Sequence, residues 1–384
     1  MKHRIPPIRV PGHRFGLPTF MREGVRRHVH RLVTAGALVG VFALAGTHAA
    51  AQSGRSSTAR AEKPAHKYGY PTPKPRTEGA IRIATYNMLN FFDQVNDPTL
   101  EGEFDDLPMA TDPDRCRNLA NAIRAVNADV IGLEEVESKE AIEWFRDTYL
   151  KDMGYTYCES IDVGYFRGVE NAVLSRFPIT EARTWINASL DDVKRIGPGW
   201  DDVPTADRSG MTFRRSPLMV TIKPNDAYEL TIFIVHHKSG GLKTMYWREA
   251  EALKIVEYIK AIEAQDPDRN IIVMGDFNSA PWDKSMRVYF EAGMIDTLGH
   301  RIVPHWKNPD PVEPALYKTH ESDRVLDYIL INSATARELV IGSAHVYGTL
   351  TPPDSYDYRK DPFPKGYASD HYPVMIELMP KDRL

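Results

Sequence analysis

Ile271-Ile272-Val273-Met274-Gly275-Asp276-Phe277-Asn278-Ser279-Ala280-Pro281 carries four apolar residues without interruption into a glycine, then delivers a carboxylate and an amide. A short unbroken apolar run fits a strand buried on both faces, so Asp276 and Asn278 fall where that strand ends, at a sheet edge. Taken alone, such a pair more often bonds the backbone of the next turn. At least five other segments repeat the pattern, and the repetition decides how the chain is read.

Upstream, residues 218–222 and 230–235 read as a strand pair joined through Pro224-Asn225-Asp226. Alternation places Ile232, Ile234 and His236 on one face and His237 on the other. Lys238-Ser239-Gly240-Gly241 breaks the strand, and residues 243–260 read as a helix with Ala250, Leu253, Val256 and Ile259 inward. Residues 81–87 alternate as a strand that sets Asn87 on the face of Ile81 and Ile83. A second strand, residues 128–136, puts Ile131, Leu133 and Glu135 on one face with Glu134 opposite. Between them lie an acidic loop, residues 91–108, and a helix opened by Asp112-Pro113, with Cys116, Leu119, Ile123 and Val126 at helical spacing. Residues 139–149 form a further helix, residues 155–159 and 171–174 strands, and residues 186–216 a long surface excursion. Downstream, residues 325–331 read as a strand with Asp327 on the face of Val325 and Ile329. The last strand, residues 372–378, follows directly on Ser369-Asp370-His371.

Polar residues thus end the strands carrying Asn87, Glu135, His236 and Asp276 but begin those carrying Asp327 and His371. If all meet at one edge, the two groups of strands run oppositely. A mixed sheet or a pair of packed sheets is expected, not a parallel barrel or a Rossmann sheet. Alternating strands and helices over about 300 residues, with no second linker, favour a single α/β domain.

The formal charge of −4 hides an asymmetry: residues 1–51 carry eight Lys/Arg and one Glu, which leaves 40 Lys/Arg against 51 Asp/Glu afterwards. An acidic body argues against duplex binding through a broad basic face, though a local basic groove remains compatible. The basic start precedes the apolar run 32–46 and the small residues Ala49-Ala50-Ala51, the layout of a cleaved signal peptide over residues 1–51, with Met21 an alternative start. That run falls short of the roughly 20 residues of a membrane-spanning helix, so no stable membrane insertion is expected. Export to a periplasmic or extracellular location follows. Residues 52–79, polar and rich in proline, read as a disordered tether, and the folded domain as residues 80–384. Only Cys116 and Cys158 occur, which excludes a disulfide scaffold and a multi-cysteine zinc site and leaves a single disulfide or two thiols open.

Asn87, Glu135, Asp276, Asp327 and Asp370 supply oxygen ligands and hydrogen-bond partners; His236 and His371 supply proton donors or phosphate contacts. Hard oxygen ligands without a Cys or His cluster suit Mg²⁺, with Mn²⁺ or Ca²⁺ as alternatives, and this set matches phosphoester chemistry. Asp327, a carboxylate amid Val, Leu, Tyr and Ile, needs a partner if buried, and His371 is the candidate. Ser369-Asp370-His371 is superficially similar to part of a serine triad, but no G-x-S-x-G elbow accompanies it. Arg215, Lys238, Ser239 and the tyrosine-rich loop 356–367 are candidates to grip a substrate phosphate or base.

The segments Ala84-Thr85-Tyr86-Asn87, Ile131-Gly132-Leu133-Glu134-Glu135-Val136, Val235-His236-His237-Lys238-Ser239, Gly275-Asp276-Phe277-Asn278, Leu326-Asp327-Tyr328-Ile329-Leu330 and Ser369-Asp370-His371, in this order, resemble those of the endonuclease/exonuclease/phosphatase superfamily, the deoxyribonuclease I-like group. The resemblance implies an α/β four-layer sandwich of two mixed β-sheets flanked by helices, with the site at one edge. It also implies Glu135 as principal metal ligand with Asn87 and Asp370 nearby. Asp276 and Asn278 would orient water and stabilise the transition state, His236 would touch phosphate, and His371 would pair with Asp327. Glu134 departs from the family, standing where Gln is frequent.

The expected function is that of an exported, Mg²⁺-dependent phosphoesterase, acting as a monomer on phosphodiester bonds, nucleic acid first. A sphingomyelinase-like lipid phosphodiesterase, a small-molecule phosphatase and a non-catalytic binding module on the same fold are the alternatives. Substrate, endo or exo cleavage and the general base stay open.

Overall fold

Period-two alternation along the strands sorts the apolar side chains into three buried layers. In the computed structural model, which describes residues 65–98, 100, 106–193, 210–300, 314–357 and 360–381, twelve strands form two six-stranded sheets. The first sheet holds β1 (Ile81–Phe91), β2 (Val130–Val136), β3 (Tyr157–Ser160), β4 (Glu170–Ser175), β11 (His345–Val346) and β12 (Val374–Leu378). The second holds β5 (Ile179–Arg183), β6 (Leu218–Asn225), β7 (Tyr228–His236), β8 (Asn270–Asp276), β9 (Ile295–Asp296) and β10 (Asp327–Ile331). Their orders are β11-β12-β1-β2-β4-β3 and β5-β6-β7-β8-β10-β9.

Ile81, Ile83, Val130 and Val173 of the first sheet meet Ile232, Ile234, Ile272, Met274 and Ile329 of the second in the central layer. On the outer side of the first sheet, Ile131 and Leu133 pack with α1 (Pro113–Val126) and α2 (Lys139–Tyr149). Outside the second, Phe233, Val235, Ile271 and Val273 pack with α3 (Met245–Gln265) and α4 (Lys284–Glu291). The result is the expected helix, sheet, sheet, helix sandwich.

Both sheets are mixed, as the placement of the polar residues requires. The parallel pairs are β1 with β2 and β7 with β8; β12 runs antiparallel to β1, and β10 antiparallel to β8. The C-terminal ends of β1, β2, β7 and β8 therefore share an edge with the starts of β10 and β12.

The tether expected over residues 52–79 needs correction. Ala65 and Tyr70 bridge to Thr351 and Tyr347, Tyr68 is buried, and a Cβ on Gly348 would lie 1.9 Å from the Tyr68 carbonyl oxygen. Backbone pairing and the burial of Tyr68 fix residues 65–79 to the domain despite their prolines. Residues 1–64, and with them the stretch expected to be a signal peptide, lie outside the described residues. Cys116 and Cys158 are free thiols, the first buried and the second half-buried. No helix among the described residues is long and apolar enough to cross a membrane.

Candidate active site

Asp276 is placed by a glycine. Gly275 has φ +137°, and a Cβ there would stand 2.0 Å from the Val235 carbonyl oxygen, so β7 and β8 approach closely only because the side chain is absent. The register then sets His236 beside Asp276 on one side, and Asp327 opposite Asp276 on the other. Around Asp276 the donors are short-range and specific. Asn278 donates its backbone N–H to Oδ1 at 2.8 Å and its amide to Oδ2 at 3.0 Å, and Asn87 donates its amide to Oδ2 at 3.3 Å. A second Asn278 amide bond, to the His237 carbonyl at 3.1 Å, ties this turn to the end of β7.

The Asp327 carboxylate accepts from His371 Nδ1 at 2.9 and 3.0 Å, which leaves Nε2 facing Asp276 Oδ2 and Asp370 Oδ1, each at 3.9 Å. Burial works against charge on the imidazole, yet Asp327, Asp370 and Asp276 together hold its pKa well above the ordinary histidine value. His236 behaves oppositely: burial, reinforced by Arg215 and the neighbouring histidine His371, pushes it well below that value. Its Nε2 lies 3.4 Å from Asp276 Oδ2 and 3.5 Å from Glu135 Oε1, and its Nδ1 is buried without a partner. One histidine is thus built to carry a proton and the other to stay neutral.

Strand parity assigns Asn87 and His236 to the central face as expected and Asp327 to the face of Ile329, while Val325, which precedes the strand, packs in the outer layer. His237 falls on the outer face, where Glu251 and Tyr289 each hold a ring nitrogen at 3.0 Å. Parity fails at Glu135. The face of Ile131 and Leu133 is the helix-covered one, and Glu134 points into the central layer. Glu135 reaches the site because β2 bulges between Glu134 and Val136 and Glu135 adopts φ +60°, which swings its carboxylate toward His236. The Asn90 N–H fixes Glu135 Oε2 at 2.8 Å.

Glu134, although it stands in the acidic run Glu134-Glu135-Val136-Glu137, is fully buried; Thr85 donates to Oε1 at 2.7 Å, and Oε2 has no partner. Burial, together with Asp327 and Asp276, pushes its carboxyl well above the usual range.

Asp370 sits between His371 and His320, whose Nε2 lies 3.3 Å from Oδ2. Burial opposes its charge, but His371 and the His320 hydrogen bond hold the pKa down at about 2. His320 and Arg167 are functional candidates that the motifs do not contain. Arg167 donates to Oδ1 of Asn90, the residue whose N–H anchors Glu135, at 2.7 Å, and depresses His236 electrostatically. Asn171, next to Glu134 across the β2–β4 ladder, spans to the Ser216 carbonyl and keeps a buried, unpartnered Oδ1. Cross-strand register and long-range bridges carry these residues in, and neither leaves a mark in local spacing.

The proposed substrate grips are placed differently from expectation. Arg215 is buried and donates to the carbonyls of His236 and His237 at 3.1 and 2.8 Å, so its guanidinium holds the strand end. Lys238 Nζ donates to the Ser239 carbonyl at 2.8 Å, folding this loop on itself.

The site suits a hard divalent cation. Two groups bring three ligand atoms within 4.8 Å of one another, Asp276/Asp327/His371 and His320/Asp370/His371. Among the described residues no Lys or Arg forms an ion pair with Glu135 or Asp276, so the charge of these two carboxylates is open to a cation. Glu135 belongs to neither group, so its role as a ligand rests on the resemblance of its motif.

A profile described as Endonuclease/Exonuclease/phosphatase family matches residues 84–371. No curated protein matches the chain. Similar solved structures include the human nocturnin catalytic domain with bound sulfate, at 16% identity over 79% of this chain and 95% of that one, TM-score 0.50. Family proteins from Bacteroides thetaiotaomicron (18% identity, 78% and 97% covered, TM-score 0.47) and Bacteroides vulgatus (16%, 80% and 100%, 0.47) also match. At these identities the likeness is one of fold.

Proposed function

Because the chain belongs to the Endonuclease/Exonuclease/phosphatase family, we propose that it hydrolyses phosphodiester bonds with Mg²⁺, and that its substrate is nucleic acid. The observation that carries the catalytic reading is the Asp327–His371 pair aimed at Asp276 inside a cation-ready acidic edge. A bound divalent cation would supply charge neutralisation at the phosphate and activation of water, and Glu135, Asn87 and Asp370 would hold it.

The protein's own groups divide the remaining work. Asp276, fixed by donors from Asn278 and Asn87, presents a rigid acceptor that orients the attacking water. His371, kept charged by Asp327, offers Nε2–H to a phosphoryl oxygen as negative charge builds there. His236 stays neutral between Glu135 and Asp276 and contacts phosphate without adding a second positive charge. Asn278 spends its amide on Asp276 and the His237 carbonyl, so its contribution is to position that carboxylate.

Nucleic acid is favoured over a small phosphate ester by the aromatic loop beside Asp370. Phe363 stacks on Tyr367 at 5.6 Å, Tyr356 packs against Tyr367, and the Tyr367 hydroxyl donates to Glu321, whose N–H is held by the Asp370 carbonyl. Aromatic surface next to a phosphate site is suited to an unstacked base. The composition of residues 1–51 supports export, to be checked by fractionating cells that express the full chain.

Purified protein assayed with plasmid DNA, RNA, sphingomyelin and phosphate monoesters, with Mg²⁺ and with chelator, tests the proposal. Metal-dependent cleavage of DNA or RNA is expected. Turnover confined to sphingomyelin or to monoesters would overturn the substrate, and no turnover on any of the four would favour a binding module.

A further inference from the structure

His320 stands with Asp370 and His371 in a group whose ligand atoms all lie within 4.8 Å, an arrangement that superficially fits a two-histidine, one-carboxylate metal centre. Its hydrogen bonds argue otherwise. The backbone N–H of Ser322 donates to His320 Nδ1 at 3.0 Å. An amide N–H cannot accept, so Nδ1 must present its lone pair and the ring proton must sit on Nε2. The Ser322 hydroxyl, 2.7 Å from Nδ1, adds to this: it accepts from Arg324 Nε at 2.8 Å, and its own hydrogen is free to point at the ring. With Nδ1 occupied by donors, Nε2 carries a hydrogen and has no lone pair for a cation.

We propose that His320 is a positioning residue: its Nε2–H holds Asp370 Oδ2, at 3.3 Å, and so presents Oδ1 to the cation and to His371. The inference rests on the reading of Asp370 as a cation ligand. The local fold supports a fixed geometry here. His320 bridges to both Arg324 and His371 through the backbone, and its ring lies edge-on to that of His371, centroids 4.6 Å apart at 84°. The next residue, Glu321, donates its N–H to the Asp370 carbonyl at 2.9 Å. The hydroxyl of the preceding residue, Thr319, accepts the N–H groups of Leu326 and Asp327 at 2.8 and 3.0 Å. Residues 319–322 therefore grip both carboxylate residues that flank His371, and His320 is the member whose ring reaches the Asp370 carboxylate. Hydrogen bonds from a ring N–H to a ligating carboxylate typically alter metal affinity about 10–100-fold.

Mn²⁺ binding to the full-length protein, measured by electron paramagnetic resonance without substrate, separates the possibilities. His320→Ala should weaken the Mn²⁺ Kd by about 10-fold or more. His320→Gln carries an amide N–H near the position of Nε2 and should restore binding to within about 3-fold of wild type, whereas His320→Asn, whose amide falls near Nδ1, should behave like Ala. Asp370→Ala is the reference. If it weakens Mn²⁺ binding while His320→Ala leaves it unchanged, the positioning role is overturned and the ligand reading of Asp370 stands. If Asp370→Ala has no effect, the ligand reading fails and the inference fails with it. Equal loss in His320→Gln and His320→Ala would assign the ring itself to the metal and also overturn the proposal.

Discussion

At Glu135 and Asn278 the backbone turns to φ +60° and +47°, and each turn sends a side chain toward Asp276 or His236. Such conformations cost on the order of 1–3 kcal/mol for residues other than glycine, and here the Asn90 and Asp276 hydrogen bonds offset that cost. The two histidines follow a similar logic, since burial disfavours charge on both, but Asp327, Asp370 and Asp276 outweigh it at His371 while Arg215 and His371 reinforce it at His236. Replacing Asp327 with Asn removes the principal attraction that raises His371, so its pKa must fall. If the imidazolium is the form that donates to phosphate, the alkaline limb of the kcat/KM profile moves to lower pH in Asp327→Asn. A limb that stays in place would rule out that role. Parity along the strand distinguishes His236 from His237 in the sequence. It does not find Glu135, because no periodicity foretells a positive φ at a residue other than glycine. Nor does it find His320, which comes to Asp370 through a bridge across about fifty residues of chain.

Strand sense is legible in the sequence from which end of each strand carries a polar residue, and β10 and β12 run opposite to their neighbours accordingly. What spacing does not show is the cross-strand wiring that locks the sheet. Arg82 of β1 donates Nε and Nη2 to Glu377 Oε1 of β12 at 3.0 and 2.7 Å, with both side chains buried, and the Thr77 N–H donates to the other Glu377 oxygen at 2.9 Å. Glu377→Ala strands a buried guanidinium and should cost about 3–5 kcal/mol in urea unfolding. A loss below about 1 kcal/mol would show that solvent or the Val126 carbonyl already satisfies Arg82. The same pair ties β1 and β12, and hence Asn87 and His371, into one rigid edge.

On the scale of the whole molecule, residues 65–79 form a strap along the first sheet, which a proline-rich polar composition conceals because backbone pairing to Thr351 and Tyr347 does not depend on local apolar spacing. A chain beginning at residue 80 should melt at a lower temperature than one beginning at residue 65, because the apolar surface that Tyr68 covers is then open to water. Equal melting temperatures would show that the strap contributes nothing to stability. The acidic balance beyond residue 51, 40 Lys/Arg against 51 Asp/Glu, argues against a broad basic face, so under the proposed function recognition would fall to the local surroundings of the site, Arg167 and the aromatic loop among them. Whether the edge built around Asp276 hydrolyses phosphodiesters with a metal can be read from the initial rate on bis(p-nitrophenyl) phosphate, titrated with Mg²⁺ and then with chelator, for wild type and Asp276→Asn side by side. Turnover should rise with Mg²⁺, disappear with chelator, and fall about 10²–10⁴-fold in the variant at unchanged circular dichroism. Turnover that survives the chelator, or an Asp276→Asn rate equal to wild type, would place the chemistry elsewhere.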